Sequence, residues 1–109
     1  MKLVYIAHPI GGNVSANIAE VLAIVKEMNL TRPDLQPFAP YIVDCLAMDD
    51  AIPEQRLRGT ENNRTFFDYH MFDVLYLCGD RISAGMAEEI RWAQSLGIRI
   101  VNGIEGEVI

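Results

Sequence analysis

The segment from Val74 to Ala93 limits the fold of this chain most. An apolar run, Val74 to Cys78, stops at Gly79-Asp80, and a helix-like pattern begins behind Ser83, a good N-cap residue. Inside that pattern Met86, Ile90, Ala93 and Leu96 recur at helical spacing. At about 100° per residue, Glu89 falls about 60° from Met86 and inside the apolar arc. Glu88 points roughly the other way, where it can meet Arg91 three residues on. The spacing therefore predicts a solvated Glu88 and a half-buried Glu89, one turn into a helix that follows a buried strand.

The rest of the chain repeats that alternation. Lys2 to Ala7 is rich in β-branched and aromatic residues and reads as a central strand ending at His8-Pro9. Pro9 to Asn13 is a loop. Asn13 caps a helix with Val14, Ile18, Val21, Leu22, Val25 and Met28 on one face, ending near Asn29. Asp34 to Ala39 reads as a second strand, and Tyr41 to Met48 as a short helix or turn. Pro53 suits the first position of a helix that runs from Glu54 to Phe72, weakened by Gly59 and Asn62-Asn63. Asp73 opens the strand Val74 to Cys78. The helix behind Ser83 ends at Gly97, and Ile98 to Val101 is a last strand. Strands alternating with helices predict a parallel sheet covered on both faces. The expected class is α/β: a single domain over residues 1–109, a three-layer Rossmann- or flavodoxin-like sandwich with about four strands.

Composition narrows the partners. Of 109 residues half are hydrophobic, enough for a core, and the formal charge is −6 with no basic stripe. That disfavours duplex DNA or RNA, because phosphate contacts dominate such binding. No apolar run is long enough to span a bilayer, and the N-terminal run reads as a strand, not as a signal peptide. A cytoplasmic protein is expected. Cys45 and Cys78 sit in apolar surroundings, as buried free thiols do in a reducing compartment. With His8 and His70 they show no metal-ligand spacing, so neither metal nor cofactor is expected.

Two stretches should meet at the C-terminal edge of the sheet, where such folds open a crevice. One is His8-Pro9-Ile10-Gly11-Gly12-Asn13, whose glycines can present backbone N–H groups to an anion or simply turn the chain. The other runs from Asp80 through Ser83, Gly85 and Met86 to Glu89. Ser83 serves either as a cap alone or also as a ligand contact. Tyr5 projects from the first strand toward the same region, where it is either a packing residue, as most strand tyrosines are, or has a hydroxyl that bonds a carboxylate or a sugar. Asn62, Asn63 and Arg64 form either a solvated helix face or contacts to a base or phosphate. A lone carboxylate in a partly dry cleft suits a nucleophile or general base, against the plainer alternative of a boundary glutamate with its head in water. One carboxylate, one tyrosine and two anion-friendly loops fit attack at an anomeric carbon, with a covalent glycosyl ester released by water or a second base.

The chain resembles the nucleoside 2-deoxyribosyltransferase superfamily, which includes 2′-deoxynucleoside 5′-phosphate N-hydrolases. Tyr5-Ile6-Ala7-His8-Pro9-Ile10-Gly11-Gly12 is similar to its opening strand and loop, Asp73 to Leu77 to its later strand, and Ser83 to Ala93 to its nucleophile helix. Gly97 to Val101 is similar to the strand that closes the motif. The resemblance implies that Glu89 is the nucleophile and that Tyr5 orients it. It also implies that Ser83 and the Gly11-Gly12 loop hold the sugar or a 5′-phosphate. A homo-oligomer is implied too, since family members borrow residues from a neighbouring subunit. Three departures stand out: His8 and Arg91 replace usual glycines, and no aspartate clearly matches the base-binding one, with Asn62, Asn63 or Asp68 as stand-ins. The expected function is cleavage or transfer at the N-glycosidic bond of a nucleoside or its 5′-monophosphate. The alternative is a non-catalytic protein that binds a nucleotide or an ADP-ribose derivative.

Overall fold

The computed structural model describes residues 1–109. Its elements are β1 (Lys2–Ala7), α1 (Val14–Thr31), β2 (Leu35–Phe38), α2 (Tyr41–Ala47), α3 (Pro53–Asp68), β3 (Val74–Leu77), α4 (Ala84–Leu96) and β4 (Arg99–Asn102), with a 3-10 turn at Gly103–Glu105. The four strands form one parallel sheet in the order β2-β1-β3-β4. From β1 the chain crosses to β2 on one side and later to β3 on the other. The strand order therefore reverses between β1 and β3, and a crevice opens beyond their carboxyl ends.

Alternation along β1 assigns side chains to the two faces. Val4 and Ile6 pack with Ile18, Val21 and Met28 of α1, and with Leu35 and Ile42. Tyr5 and Ala7 pack on the other face with Phe67, Phe72, Leu75, Met86 and Ala93, beneath α3 and α4. This second face is aromatic. The Tyr5 ring lies 5.0 Å from Phe72, 5.1 Å from Phe67 and 5.7 Å from Tyr41. The result is the expected three-layer α/β sandwich. No helix is long and apolar enough to cross a membrane.

The departures from the sequence reading have local causes. Leu22 is 52% exposed, because it lies about 90° around α1 from the centre of the buried stripe. Helix α1 continues to Thr31, whose hydroxyl bonds the Glu27 carbonyl at 2.8 Å. Helix α3 stops at Asp68. Phe72 drops into the core beside Tyr5, and the chain turns through His70 at φ 48 to reach β3. Strand β4 starts at Arg99, not Ile98, because the Ile98 N–H bonds Ala93 and completes the turn that ends α4 at Gly97. Asp73 ties β3 to β1, its carboxylate accepting from the Leu3 N–H at 2.8 Å.

Candidate active site

Three elements deliver three side chains to one point. Tyr5 comes from β1 and is fully buried, Asn63 from α3, and Glu89 from α4, where it is 8% exposed. The Tyr5 hydroxyl donates to Glu89 Oε2. Asn63 Nδ2 donates to the Tyr5 oxygen at 2.5 Å and to the same Glu89 Oε2 at 3.0 Å. Oε2 therefore takes two donors, while Oε1 has no partner within the chain.

Burial pushes the Glu89 carboxyl up to about 7, although the Tyr5 and Asn63 donors pull it down and nearby Glu88 adds a smaller upward push. Burial, and then the charge of Glu89, raise the Tyr5 phenol well above its ordinary value. Near neutral pH, Tyr5 thus keeps its proton and Glu89 is the member that titrates.

Asn63 and Glu89 form one flank of a cavity of about 1050 Å³, and Tyr5 is buried behind them. Met86 and Glu89 border it from α4 and Asn63 from α3. His8, Ile10, Gly11 and Gly12 border it from the loop after β1, and Ser83 and Gly85 from the loop and first turn that follow β3. Ser83 also caps α4, its Oγ accepting from the Met86 N–H at 3.2 Å. The two loops meet because Gly79 has φ 92 and no side chain. A Cβ there would lie 2.8 Å from Pro9 Cδ.

Other expected residues sit elsewhere. Asp80 is exposed, pairs with Arg81 at 3.0 Å and does not border the cavity. Asn13 caps α1, accepting from the Ala16 N–H at 3.3 Å, and also lies off the cavity. Pro9 is buried behind the loop, with its carbonyl 2.6 Å from His8 Nδ1. His8 touches the cavity edge, but its Nε2 faces Glu20 at 2.9 Å. Glu88 is half-buried and borders the cavity instead of facing fully away. Asn62 donates to Asp44 at 3.1 Å, and Asp68 lies 3.8 Å from Arg64, off the cavity.

The sequence reading missed Tyr41, Trp92 and Arg81, which border the cavity, and a polar stripe on α3. Arg56, Gly59, Thr60 and Asn63 recur at intervals of three and four and all line it. A polar stripe at helical period was the available signal. No group of three or more His, Cys, Asp or Glu side chains gathers where it could hold a metal ion. Cys45 and Cys78 are free, and burial pushes the Cys78 thiol up to about 12, leaving it unreactive near neutral pH.

The family model described as Domain of unknown function (DUF7768) matches residues 2–103. The chain belongs to this family. In fold, this DUF7768 member is similar to 2-desoxiribosyltransferase from Leishmania mexicana, with a TM-score of 0.58 and 20% sequence identity. The similarity covers 94% of the DUF7768 chain but 63% of the Leishmania protein, so this chain spans less than two thirds of that length. The fold is thus nucleoside 2-deoxyribosyltransferase-like. No curated protein matches the DUF7768 chain.

Proposed function

We propose that this protein cleaves or transfers at the N-glycosidic bond of a nucleoside or its 5′-monophosphate, with Glu89 as nucleophile. The observation that carries the reading is the asymmetry of the Glu89 carboxylate. One oxygen is tied by a buried phenol and a partly buried amide, and the other is unbonded at the edge of a cavity large enough for such a ligand. A boundary glutamate with its head in water would not be 8% exposed with two in-chain donors on one oxygen. The likeness in fold to a protein named a deoxyribosyltransferase supports the same reading.

In the first step Glu89 Oε1 bonds to C1′ of the sugar. The C1′–N bond breaks, its electron pair leaves with the base, and a proton from solvent completes the base. In the second step water attacks C1′, the C1′–O bond to Glu89 breaks with its electron pair returning to the carboxylate, and the proton lost by the attacking water goes to solvent. A second base in place of water gives transfer. Two inversions retain the configuration at C1′. The glycine-bearing loop after β1 and the start of α4 hold the sugar and any 5′-phosphate through backbone N–H groups.

The test is release of free base from nucleosides and their 5′-monophosphates, followed by chromatography. Wild type releases base, and Glu89→Gln loses roughly 10⁴-fold or more in kcat/KM. Because attack needs the ionised carboxylate, kcat/KM rises about tenfold per pH unit below about 7 and levels above it. No base released from any of these compounds, together with a ligand-dependent rise in melting temperature, selects the binding-only alternative.

A further inference from the structure

Asn63 carries an unexplained feature. Its Oδ1 is buried without a hydrogen-bond partner, the one such side-chain atom in the protein. An acceptor stranded in this way is destabilising. Turning the amide over would not relieve it, because Nδ2 would then be the stranded atom. It would also aim Oδ1 at the carboxylate oxygen now 3.0 Å from Nδ2. The present orientation gains instead from two acceptors in front of the amide donor, the Tyr5 oxygen and the Glu89 carboxylate, the charged one giving the stronger hydrogen bond.

The triangle fixes which oxygen is free. Tyr5 has a single proton and gives it to Glu89 Oε2, while its own oxygen accepts from Asn63 Nδ2. Asn63 Nδ2 also reaches Oε2 directly. We propose that Asn63 is a positioning residue that, with Tyr5, locks Glu89 Oε2 and reserves Oε1 for the sugar. This rests on the reading of Glu89 as a glycosyl nucleophile.

The role extends through both steps. While the ester exists, Oε2 is its carbonyl oxygen, and both donors remain on it. When water attacks C1′ and the C1′–O bond breaks, the charge returning to the carboxylate spreads onto Oε2, where the donors already point. Asn63 therefore favours release of the sugar more than its capture. The same donor holds Glu89 ionised before the reaction, since a hydrogen bond to the charged form favours it.

Two measurements test this, one of them independent of turnover. Carbon-13 NMR of the Glu89 carboxyl gives its titration midpoint in wild type, Asn63→Leu and Asn63→Ala, each checked for a native melting transition. Both variants remove the donor, so the midpoint rises by about one to two pH units. An unchanged or lowered midpoint in both overturns the proposal. Intact-protein mass spectrometry during incubation with a nucleoside 5′-monophosphate then reads the glycosyl ester. Its steady-state fraction grows about tenfold in either variant over wild type, because release slows more than capture. Equal fractions overturn the release role. A raised midpoint with no ester in any of the three proteins keeps Asn63 as the group that holds Glu89 ionised, and instead removes the glycosyl reading.

Discussion

Each face of the sheet buries one polar side chain near its C-terminal edge, His8 toward α1 and Glu89 toward α3 and α4. Both are nearly out of water, at 6% and 8% exposed. Their hydrogen bonding differs. Both His8 ring nitrogens face oxygens of the chain, the Pro9 carbonyl at 2.6 Å and Glu20 at 2.9 Å. Glu89 has one oxygen taken twice and the other free. Burial alone does not mark a reactive group. What separates the two is unused hydrogen-bonding capacity that faces a cavity. His8 ties a loop to a helix, whereas Glu89 leaves one oxygen without a partner in the chain, as the proposed nucleophile role requires.

The sharpest way to break this comparison is to remove the charge of Glu89 and measure stability. Its carboxyl binds a proton up to about pH 7 when folded and about pH 4.5 when unfolded. The neutral form therefore contributes stability that is complete below about pH 4.5. That stability is lost as pH rises to about 7, a loss of about 3 kcal/mol. Glu89→Gln keeps an acceptor for Tyr5 and Asn63 but never ionises. Urea unfolding from pH 4 to pH 8 should show variant and wild type drawing apart by about 3 kcal/mol, with the variant the more stable at pH 8. Such a gain on losing the Glu89 charge is what the proposed nucleophile role predicts, since sites built for activity often cost stability. Parallel pH curves would show that Glu89 pays nothing for its burial.

The same contrast explains what the sequence made legible. Strands, helix faces and the buried position of Glu89 follow from periodicity, because the sheet buries whatever its period-2 and period-3.6 patterns present. Tyr5 beside Glu89 follows once β1 and β3 are adjacent. Asn63 was visible only as one of several polar residues on α3. Its contact with Tyr5 and Glu89 depends on how α3 packs on α4, which no local pattern records. Asp80 and Asn13 went the other way. Both residue types favour turns and caps; here Asn13 caps α1, and Asp80 sits in the bend after β3 and pairs with Arg81. The early end of α3 was hidden because Phe72 is apolar and fits the helical pattern, yet it is used as a core side chain after the turn.

His8 supplies the next test. His8→Ala removes the partner of the Pro9 carbonyl and opens a space beside Gly79, where the ring now stands close. The expected loss is about 2–3 kcal/mol by urea unfolding, a sign opposite to that of Glu89→Gln. A stability gain here would make the two faces alike and remove the distinction between a tie and a reserve.

The smallest effect belongs to Glu20, and it decides what kind of tie His8 makes. The Glu20 side chain is 65% exposed, so water competes for its end of the 2.9 Å contact. Glu20→Gln retains an oxygen for His8 Nε2 and loses only the charge. The expected cost is under about 1 kcal/mol and shrinks further in 1 M salt, as it does for exposed pairs. If Glu20→Gln instead costs as much as His8→Ala at both salt concentrations, the charge of Glu20 and not the Pro9 carbonyl holds the loop. The α1 face would then be held by a single carboxylate, the reverse of the α4 face, where loss of the carboxylate charge is expected to stabilise.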